Sequence, residues 1–349
     1  MSFYKTLIFT LFLTVIGTSC QSEKEKPRPD VSNISIDLKF RRFEKDLFAL
    51  DTTAADFPEQ LNQLEDDYGE FGNIYFNRIL ASKDPRIAPQ GHVAYVKGFL
   101  THPAIRHLYD TCMVLYDNMD DIKQDFTQTF KYFKYYFPDL PTPDVTTFVS
   151  EYTTAAFIYS DYSLAVGLDF FLGKDYPYRK YNPESPSFSD YLSRYFAKEY
   201  LVSKTVRALV EDLVGPPSGE RMLDQMIQNG KKLYLMESFM PDKPDSIIFE
   251  VTSEQDAWLK ENEGQMWNYF LDQDLLYSTD QRKIRKFVDY SPNSPGMPEE
   301  APGRTANWVG WQVIRKYMRR HPDTSLQQLI DMKDAQALLE DARYKPKRR

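Results

Sequence analysis

The sequence contains little of the material from which several common functional sites are built. Its 349 residues include two cysteines and four histidines, which are too few for a zinc ribbon, an iron–sulfur cluster or a disulfide framework. Glycine occurs 14 times, and neither a glycine-rich phosphate loop nor a Gly-x-Ser-x-Gly nucleophile motif is present. The formal charge of −8 argues against general nucleic-acid binding, which requires a basic surface.

The histidines and acidic residues do not form a recognisable catalytic or metal motif. His102 and His107 lie five positions apart around a proline, and neither belongs to a His-Glu-x-x-His motif. The many carboxylates fit exposed helix faces and helix caps. A glycosidase pair can lie far apart in sequence, so a carboxylate-dependent hydrolase remains an alternative. We therefore assign no catalytic residue, no metal ligand and no cofactor.

The N-terminus has the organisation of a bacterial lipoprotein signal. Lys5 precedes an apolar stretch over residues 7–16, which is too short for a membrane span of roughly 20 residues. Small residues at 17–19 then lead to Cys20. We predict cleavage of a signal peptide, residues 1–19, and acylation of the Cys20 thiol. Cleavage without acylation is the alternative.

The rest of the chain predicts a tether and one domain. Residues 20–32 are charged and contain proline without an apolar period, as in a flexible tether. Residues 33–349 form a single α+β domain that is predominantly α-helical. Alternating apolar residues at 33–40 predict a strand. Three runs rich in β-branched and aromatic residues predict a small antiparallel sheet at about 145–170, with strands at 145–149, 155–159 and 164–168.

Helical periodicity dominates elsewhere. Residues 189–214 predict one long or broken helix, and capping boxes are predicted to begin at Ser253, Ser278 and Thr324. A further helix is predicted after Pro302-Gly303 with Thr305 as its cap, and it carries Trp308 and Trp311 on one face. Core packing is the favoured interpretation of these rings, and binding of a partner is the alternative. Gly310 between them indicates close approach by another backbone.

Several segments together carry a family resemblance. In chain order they are Ile36 to Phe48 with Arg41-Arg42-Phe43, Met226-Ile-Gln-Asn-Gly-Lys-Lys-Leu-Tyr-Leu235, Trp267-Asn-Tyr-Phe, Leu275-Leu-Tyr-Ser-Thr-Asp280, Pro302-Gly-Arg304 and Trp308-Val-Gly-Trp-Gln-Val-Ile-Arg315. Behind a lipoprotein signal, they closely resemble the GldB family of gliding-motility lipoproteins in Bacteroidota. The resemblance covers nearly all of the mature chain and is densest at 222–330.

The resemblance implies a lipid-anchored accessory protein of the cell envelope. It would contact the membrane through Cys20 and other proteins of the gliding machinery or its coupled secretion system, without catalysis and without nucleic acid. Tyr234, Arg304, Trp308 and Trp311 are the candidate contact residues. The alternative function is an envelope hydrolase, peptidase-like or glycosidase-like, with an unrecognised site.

The same resemblance also implies a distant similarity to zincin peptidases that has lost its metal ligands. Such enzymes carry a His-Glu-x-x-His helix after a small sheet, and a later Glu-Gly opens a further helix. Here the predicted helix at 189–214 contains no histidine, and Asn229-Gly230 stands where Glu-Gly is expected. A zincin-like domain without metal ligands is therefore expected.

Overall fold

A computed structural model of the chain describes residues 28–181 and 183–346. The predicted signal peptide, the predicted acylation site Cys20 and most of the predicted tether lie outside these residues. Among the helices that are described, none combines the length and the apolarity needed to cross a bilayer.

The fold is 57% helical and has one small sheet. The strands are β1 (Phe40–Arg42), β2 (Val145–Phe148), β3 (Ala156–Tyr159) and β4 (Ser163–Gly167). The helices between β1 and β2 are α1 (Phe43–Phe48), α2 (Phe57–Ile74), α3 (His92–Thr101), α4 (Pro103–Tyr116) and α5 (Asp120–Tyr136). The later helices are α6 (Tyr178–Tyr181), α7 (Asp190–Ser193), α8 (Lys198–Val214), α9 (Met222–Phe239), α10 (Asp245–Phe249), α11 (Ser253–Glu261), α12 (Glu263–Asp272), α13 (Gln281–Val288), α14 (Thr305–Arg320), α15 (Leu326–Asp331) and α16 (Ala335–Ala342).

The predicted antiparallel sheet is wrong in its pairing, although its three strands were placed within about a residue or two of their observed positions. The strand order is β1-β2-β4-β3. β2 pairs in parallel with both β1 and β4, and only β3 and β4 form an antiparallel pair. Every residue of β2 is buried, so β2 is a central strand with a partner on each side. Periodicity reports which residues are buried and carries no information about which strands pair.

The strand predicted at 33–40 is also corrected. Ile36, Leu38 and Phe40 are half-buried against the core while their neighbours are exposed, so the predicted alternation is confirmed. Ladder pairing is confined to β1, because its partner β2 begins opposite Phe40. Residues 34–39 have no strand partner among the residues that the structure describes.

The predicted helix starts lie close to the observed ones, but the residues that cap the helices differ from the predicted caps. Thr252 and Gln255 form the capping box of α11, and Ser325 and Gln328 form that of α15. Asp280 caps α13 by accepting a hydrogen bond from the Arg282 N–H, without a capping box. The helix predicted at 189–214 is broken into α7 and α8, which was one of the two forms expected. Neighbouring Ser, Thr and Asp residues are chemically equivalent as caps, so sequence alone leaves the cap ambiguous.

Candidate functional site

Two of the segments that carry the family resemblance, Met226–Leu235 and Trp308–Arg315, meet where α9 packs on α14. A Cβ atom on Gly230 would lie 2.4 Å from the carbonyl carbon of Gly310, and one on Gly310 would lie 2.0 Å from the Met226 oxygen. The two backbones are therefore in contact, as expected from Gly310. The side chain of Asn229 donates to Asn307 Oδ1 at 3.0 Å, and Asn307 donates to the Val288 carbonyl at 2.7 Å. Close packing and these amide bonds fix the register of the helix pair.

Both candidate tryptophans lie in the core. Trp308 and Trp311 are 1% and 0% exposed, and Phe249 packs against both indoles. Trp311 Nε1 donates to Glu237 at 2.8 Å, and the Arg315 guanidinium lies 3.8 Å from the Trp311 ring centre. These rings join α9, α10 and α14, so they do not present a contact surface.

The other two candidates lie in different surroundings. Tyr234 is half-buried on α9, and burial raises the pKa of its phenol. Arg304 adopts a left-handed conformation, with φ of 62°, immediately before α14. Its side chain stacks over Tyr290 at 4.0 Å and Phe249 at 4.8 Å from the ring centres. The four candidates therefore do not form one surface, and Arg304 alone among them lines a cleft.

A buried carboxylate next to Arg304 organises this region, and sequence reasoning missed it. Glu250 is 1% exposed and adopts a left-handed conformation at the end of α10. Its oxygens accept hydrogen bonds from Lys204 Nζ at 2.7 Å, Arg207 Nε at 3.2 Å and Tyr290 Oη at 2.9 Å. We call Glu250 with these three partners the Glu250 centre. It connects α8, α10 and the segment before α14.

The cations of the centre keep Glu250 ionised. Burial by itself would raise the pKa of Glu250, but Lys204, Arg207 and Arg304 together hold it well below its ordinary value. Lys204 and Arg207 lie three positions apart on one face of α8, a spacing that was visible in the sequence. The position of Glu250 beside them was not visible, because it comes from a different helix.

A small cleft opens beside the Glu250 centre, and we call it the Arg304 cleft. Its lining residues are Tyr191, Arg194, Tyr195, Glu250, Val251, Gln255, Tyr290, Ser291, Pro292, Pro302, Gly303 and Arg304. The volume of the cleft is about 30 Å³, far less than the roughly 300–1,000 Å³ of pockets that enclose small-molecule ligands. The cleft therefore admits a small polar group and does not enclose an organic substrate of ordinary size.

The remaining residues of chemical interest have structural partners. His102 caps α4 by accepting a hydrogen bond from the Ala104 N–H, and His92 Nδ1 lies 2.9 Å from Ser82 Oγ. Cys112 is buried, and burial raises the pKa of its thiol. Across the described ranges, no group of three or more His, Cys, Asp or Glu side chains is arranged to hold a metal ion.

A second buried carboxylate lies outside the lining of the cleft, under the loop that follows β2. Asp169 is 0% exposed. One oxygen accepts N–H bonds from Ser150 at 3.2 Å and Tyr152 at 2.6 Å, and the other has no hydrogen-bond partner in the described part of the protein. Burial raises the pKa of Asp169 to about 6. Nothing in the sequence distinguished this aspartate from the others.

The geometry defines an α-rich domain whose buried charges hold a helix junction together beside a small cationic cleft. A family model described as "Gliding motility protein GldB" matches residues 24–346. The chain therefore belongs to the GldB family of gliding-motility-related lipoproteins, which places it among membrane-associated proteins of the cell envelope. No curated protein and no solved structure gave a significant match.

Proposed function

We propose that this protein is a lipid-anchored envelope protein that supports the gliding machinery, or the secretion system coupled to it, through protein–protein contacts and without catalysis. The observation that carries the proposal is the family match, which extends over nearly the whole mature chain. Acylation of Cys20 would hold the domain at a membrane through the tether of residues 20–32. The accessory role then lies in the contacts that the domain makes.

The chemistry of the junction supports a binding role. The carboxylate of Glu250 accepts hydrogen bonds from Lys204, Arg207 and Tyr290, so its charge is used within the junction. Glu237 and Asp245 are likewise occupied by Arg315. Glu250 and Asp245 are poor general bases, because their cationic partners lower the pKa of each carboxyl group.

A zincin-like origin remains part of the proposal. Its support is the order of the elements, since α8 and α9 follow the small sheet as the metal-binding helices of such peptidases would. In this chain, α8 directs Lys204 and Arg207 towards Glu250. Two fixed cations at that position would oppose a divalent metal ion by Coulomb repulsion.

An envelope hydrolase is the second candidate, and Asp169 is the observation that favours it. A carboxyl group whose pKa is raised to about 6 has the property of a general acid that works near neutral pH. Its complete burial means that the loop at 149–154 would have to open before a substrate reached it. Turnover of peptide or glycan substrates by the purified protein, abolished by Asp169→Asn, would establish this alternative.

The experiment that tests the proposed function is in-cell cross-linking followed by affinity purification, with Cys20→Ser as the control. We expect gliding or secretion components to be recovered with the acylated protein and to be lost with the Cys20→Ser variant. Recovery of no envelope protein, with membrane localisation intact, would contradict the proposed role.

A further inference from the structure

We propose that the Arg304 cleft and the adjoining exposed face of α13 bind an acidic peptide segment of a partner protein, with one carboxylate of that segment entering the cleft to meet Arg304. The proposal rests on the proposed function in protein contacts and specifies the chemistry of the partner. It is carried by the unused donors of Arg304, the excess of positive charge, and the size of the cleft.

Arg304 is a buried cation with donors to spare. Its side chain is 7% exposed and lines the cleft. Nη2 donates to the carbonyls of Phe249 at 2.6 Å and Glu250 at 3.1 Å. Nε and Nη1 have no protein acceptor among the described residues, so they are available to a group that enters the cleft. Stacking between Tyr290 and Phe249 holds the planar guanidinium in place, which prepares it for bidentate recognition of an anion.

The charges around the cleft favour an anion. The lining contains the cations Arg194 and Arg304 and one acid, Glu250. Glu250 is already neutralised from behind by Lys204 and Arg207. The lining and these two residues together therefore carry four cations against one carboxylate. A chain whose overall charge is −8 concentrates positive charge here.

The face of α13 extends this positive charge from the mouth of the cleft. The backbone N–H of Arg304 donates to the Lys286 carbonyl at 3.4 Å, so the end of α13 adjoins the cleft. Lys283, Arg285 and Lys286 are exposed and make no ion pair within the described chain, whereas Arg282 is paired with Asp280. Asp289 is the exposed acid at the end of this face. Lys283 and Lys286 lie three positions apart on one side of the helix, and these unpaired cations suit a ligand with several negative charges.

The small size of the cleft and the shape of the Arg304 guanidinium favour a carboxylate on a polypeptide. A volume of about 30 Å³ is far below that of pockets that enclose whole ligands, so only the charged end of a ligand meets Arg304, and a planar carboxylate matches the guanidinium fork with two parallel hydrogen bonds. The rest of the ligand must then lie on the surface, where Tyr191, Tyr195 and Tyr290 form the walls. Tyrosine is enriched at protein interfaces, where its ring and hydroxyl contact both apolar and polar groups. An extended acidic segment meets these requirements better than a lipid headgroup does.

The test is a binding measurement on the full-length protein carrying Cys20→Ser, so that an acyl chain does not contribute. The probe is a fluorescein-labelled hexaglutamate peptide, and its binding is followed by anisotropy at low salt. We expect hexaglutamate to bind and hexaglutamine not to bind. Binding should weaken as salt is raised, because exposed charges are screened. Equal binding of the two peptides would overturn the proposal.

Two sets of variants locate the site. Arg304→Met removes the charge-assisted bonds in the cleft and should weaken hexaglutamate binding about 30-fold. Arg304→Lys keeps the charge but loses the planar guanidinium, so its affinity for hexaglutamate should lie between those of the wild type and the Arg304→Met variant. The Lys283→Gln/Lys286→Gln pair alters only exposed side chains, so folding is preserved, and binding should weaken about 10-fold. The matched control is Arg78→Gln/Lys97→Gln, exposed cations away from the cleft, which should change binding less than about twofold.

Three outcomes would overturn this site. One is wild-type affinity in both the Arg304 and the α13 variants. A second is binding to phosphatidylglycerol vesicles in preference to the peptide with the same dependence on α13, which would identify a lipid surface. A third is recovery of the same envelope partners by the Lys283→Gln/Lys286→Gln variant as by the wild type in the cross-linking experiment, which would leave the proposed function intact. Loss of all partners from the wild type would instead reject the proposed function itself.

Discussion

Two fully buried carboxylates, in different regions of this molecule, have opposite protonation behaviour. Glu250, at the helix junction, accepts bonds from two cations and a phenol, and its pKa is held below its ordinary value. Asp169, beneath the loop after β2, accepts backbone N–H bonds without a cation, and burial raises its pKa to about 6. Burial is equally complete at both positions. The number of cations in contact therefore decides which carboxylate stays charged.

Glu44 at the start of α1 is an intermediate case that supports this comparison. It is fully buried and bonded to Arg42 and Thr147. Burial raises its pKa even though Arg42 opposes the shift. One partly exposed cation does not replace the hydration that a carboxylate loses on burial. At Glu250, at least two cations are in contact, and there the pKa is lowered and not raised.

The largest expected effect tests the paired carboxylate. Glu250→Gln keeps the shape of the side chain but leaves Lys204 and Arg207 without their counter-charge. Removing one member of a buried ionic group typically costs about 3–5 kcal/mol, so we expect a loss of that size in the free energy of unfolding, measured by urea denaturation. The control is Asp212→Asn, an exposed acid on the same helix as the two cations, which should change stability by less than about 0.5 kcal/mol. A loss below about 1 kcal/mol for Glu250→Gln would contradict the importance of this charge group.

The next largest effect is the pH dependence of stability that is due to Asp169, the buried carboxylate without a cationic partner. The pKa of Asp169 is higher in the folded protein than in the unfolded chain, so its contribution to stability is complete at low pH and is lost as the pH rises through about 6. That loss amounts to about 3 kcal/mol between pH 4 and pH 7. Asp169→Asn should abolish this part of the pH dependence, measured as the difference from wild type in unfolding free energy across that range.

Asp161→Asn, which alters an exposed aspartate near the same sheet, is the control and should follow the wild-type pH curve. Parallel curves for wild type and Asp169→Asn would mean that Asp169 titrates normally. The comparison between the two buried carboxylates would then fail.

A smaller effect extends the comparison to two neighbouring tryptophans. Trp311 Nε1 donates to Glu237, whereas Trp308 Nε1 is buried with no acceptor among the residues described. Replacement by phenylalanine removes a similar apolar volume from each site. We expect Trp311→Phe to lower the free energy of unfolding, measured by thermal denaturation, by about 1–2 kcal/mol more than Trp308→Phe does. The reason is that only the replacement of Trp311 removes a charge-assisted hydrogen bond. Equal losses would show that the indole N–H of Trp311 contributes nothing to stability.

The smallest expected loss of stability comes from removing the uncharged side chain that caps the start of α11. Thr252 Oγ1 accepts the Gln255 N–H at 3.2 Å, while Ser253 is exposed inside the first turn of α11. Thr252→Ala should cost about 1 kcal/mol of stability by loss of the cap, and Ser253→Ala should cost less than about 0.5 kcal/mol. The measurement is thermal unfolding of the two variants under the same conditions. A larger loss of stability for Ser253→Ala than for Thr252→Ala would support Ser253 as the cap, as predicted from the sequence.

Much of the local structure could be predicted from the sequence, and the site could not. The helical regions, the three strand positions at 145–168 and the close approach at Gly310 all follow from periodicity or backbone sterics. The contact residues were chosen by residue type, which favours tryptophan at interfaces, and both tryptophans are buried in the helix junction. Of the four candidates, Arg304 lines the cleft, and its role as a contact residue stays a prediction. Its surroundings, with Glu250 and Tyr290, were not predicted.

The sequence by itself determined where helices and extended segments lie, because hydrophobic period, capping residues and prolines act over a few neighbouring positions. Only the tertiary structure decided which strands pair and which charges meet. Lys204 and Glu250 are separated by 46 residues, and Arg315 and Asp245 by 70. Contacts over such separations depend on the packing of whole helices, and a sequence rich in acidic residues offers many equivalent partners. Packing selected Glu250 to be ionised beside its cations and left Asp169 without one.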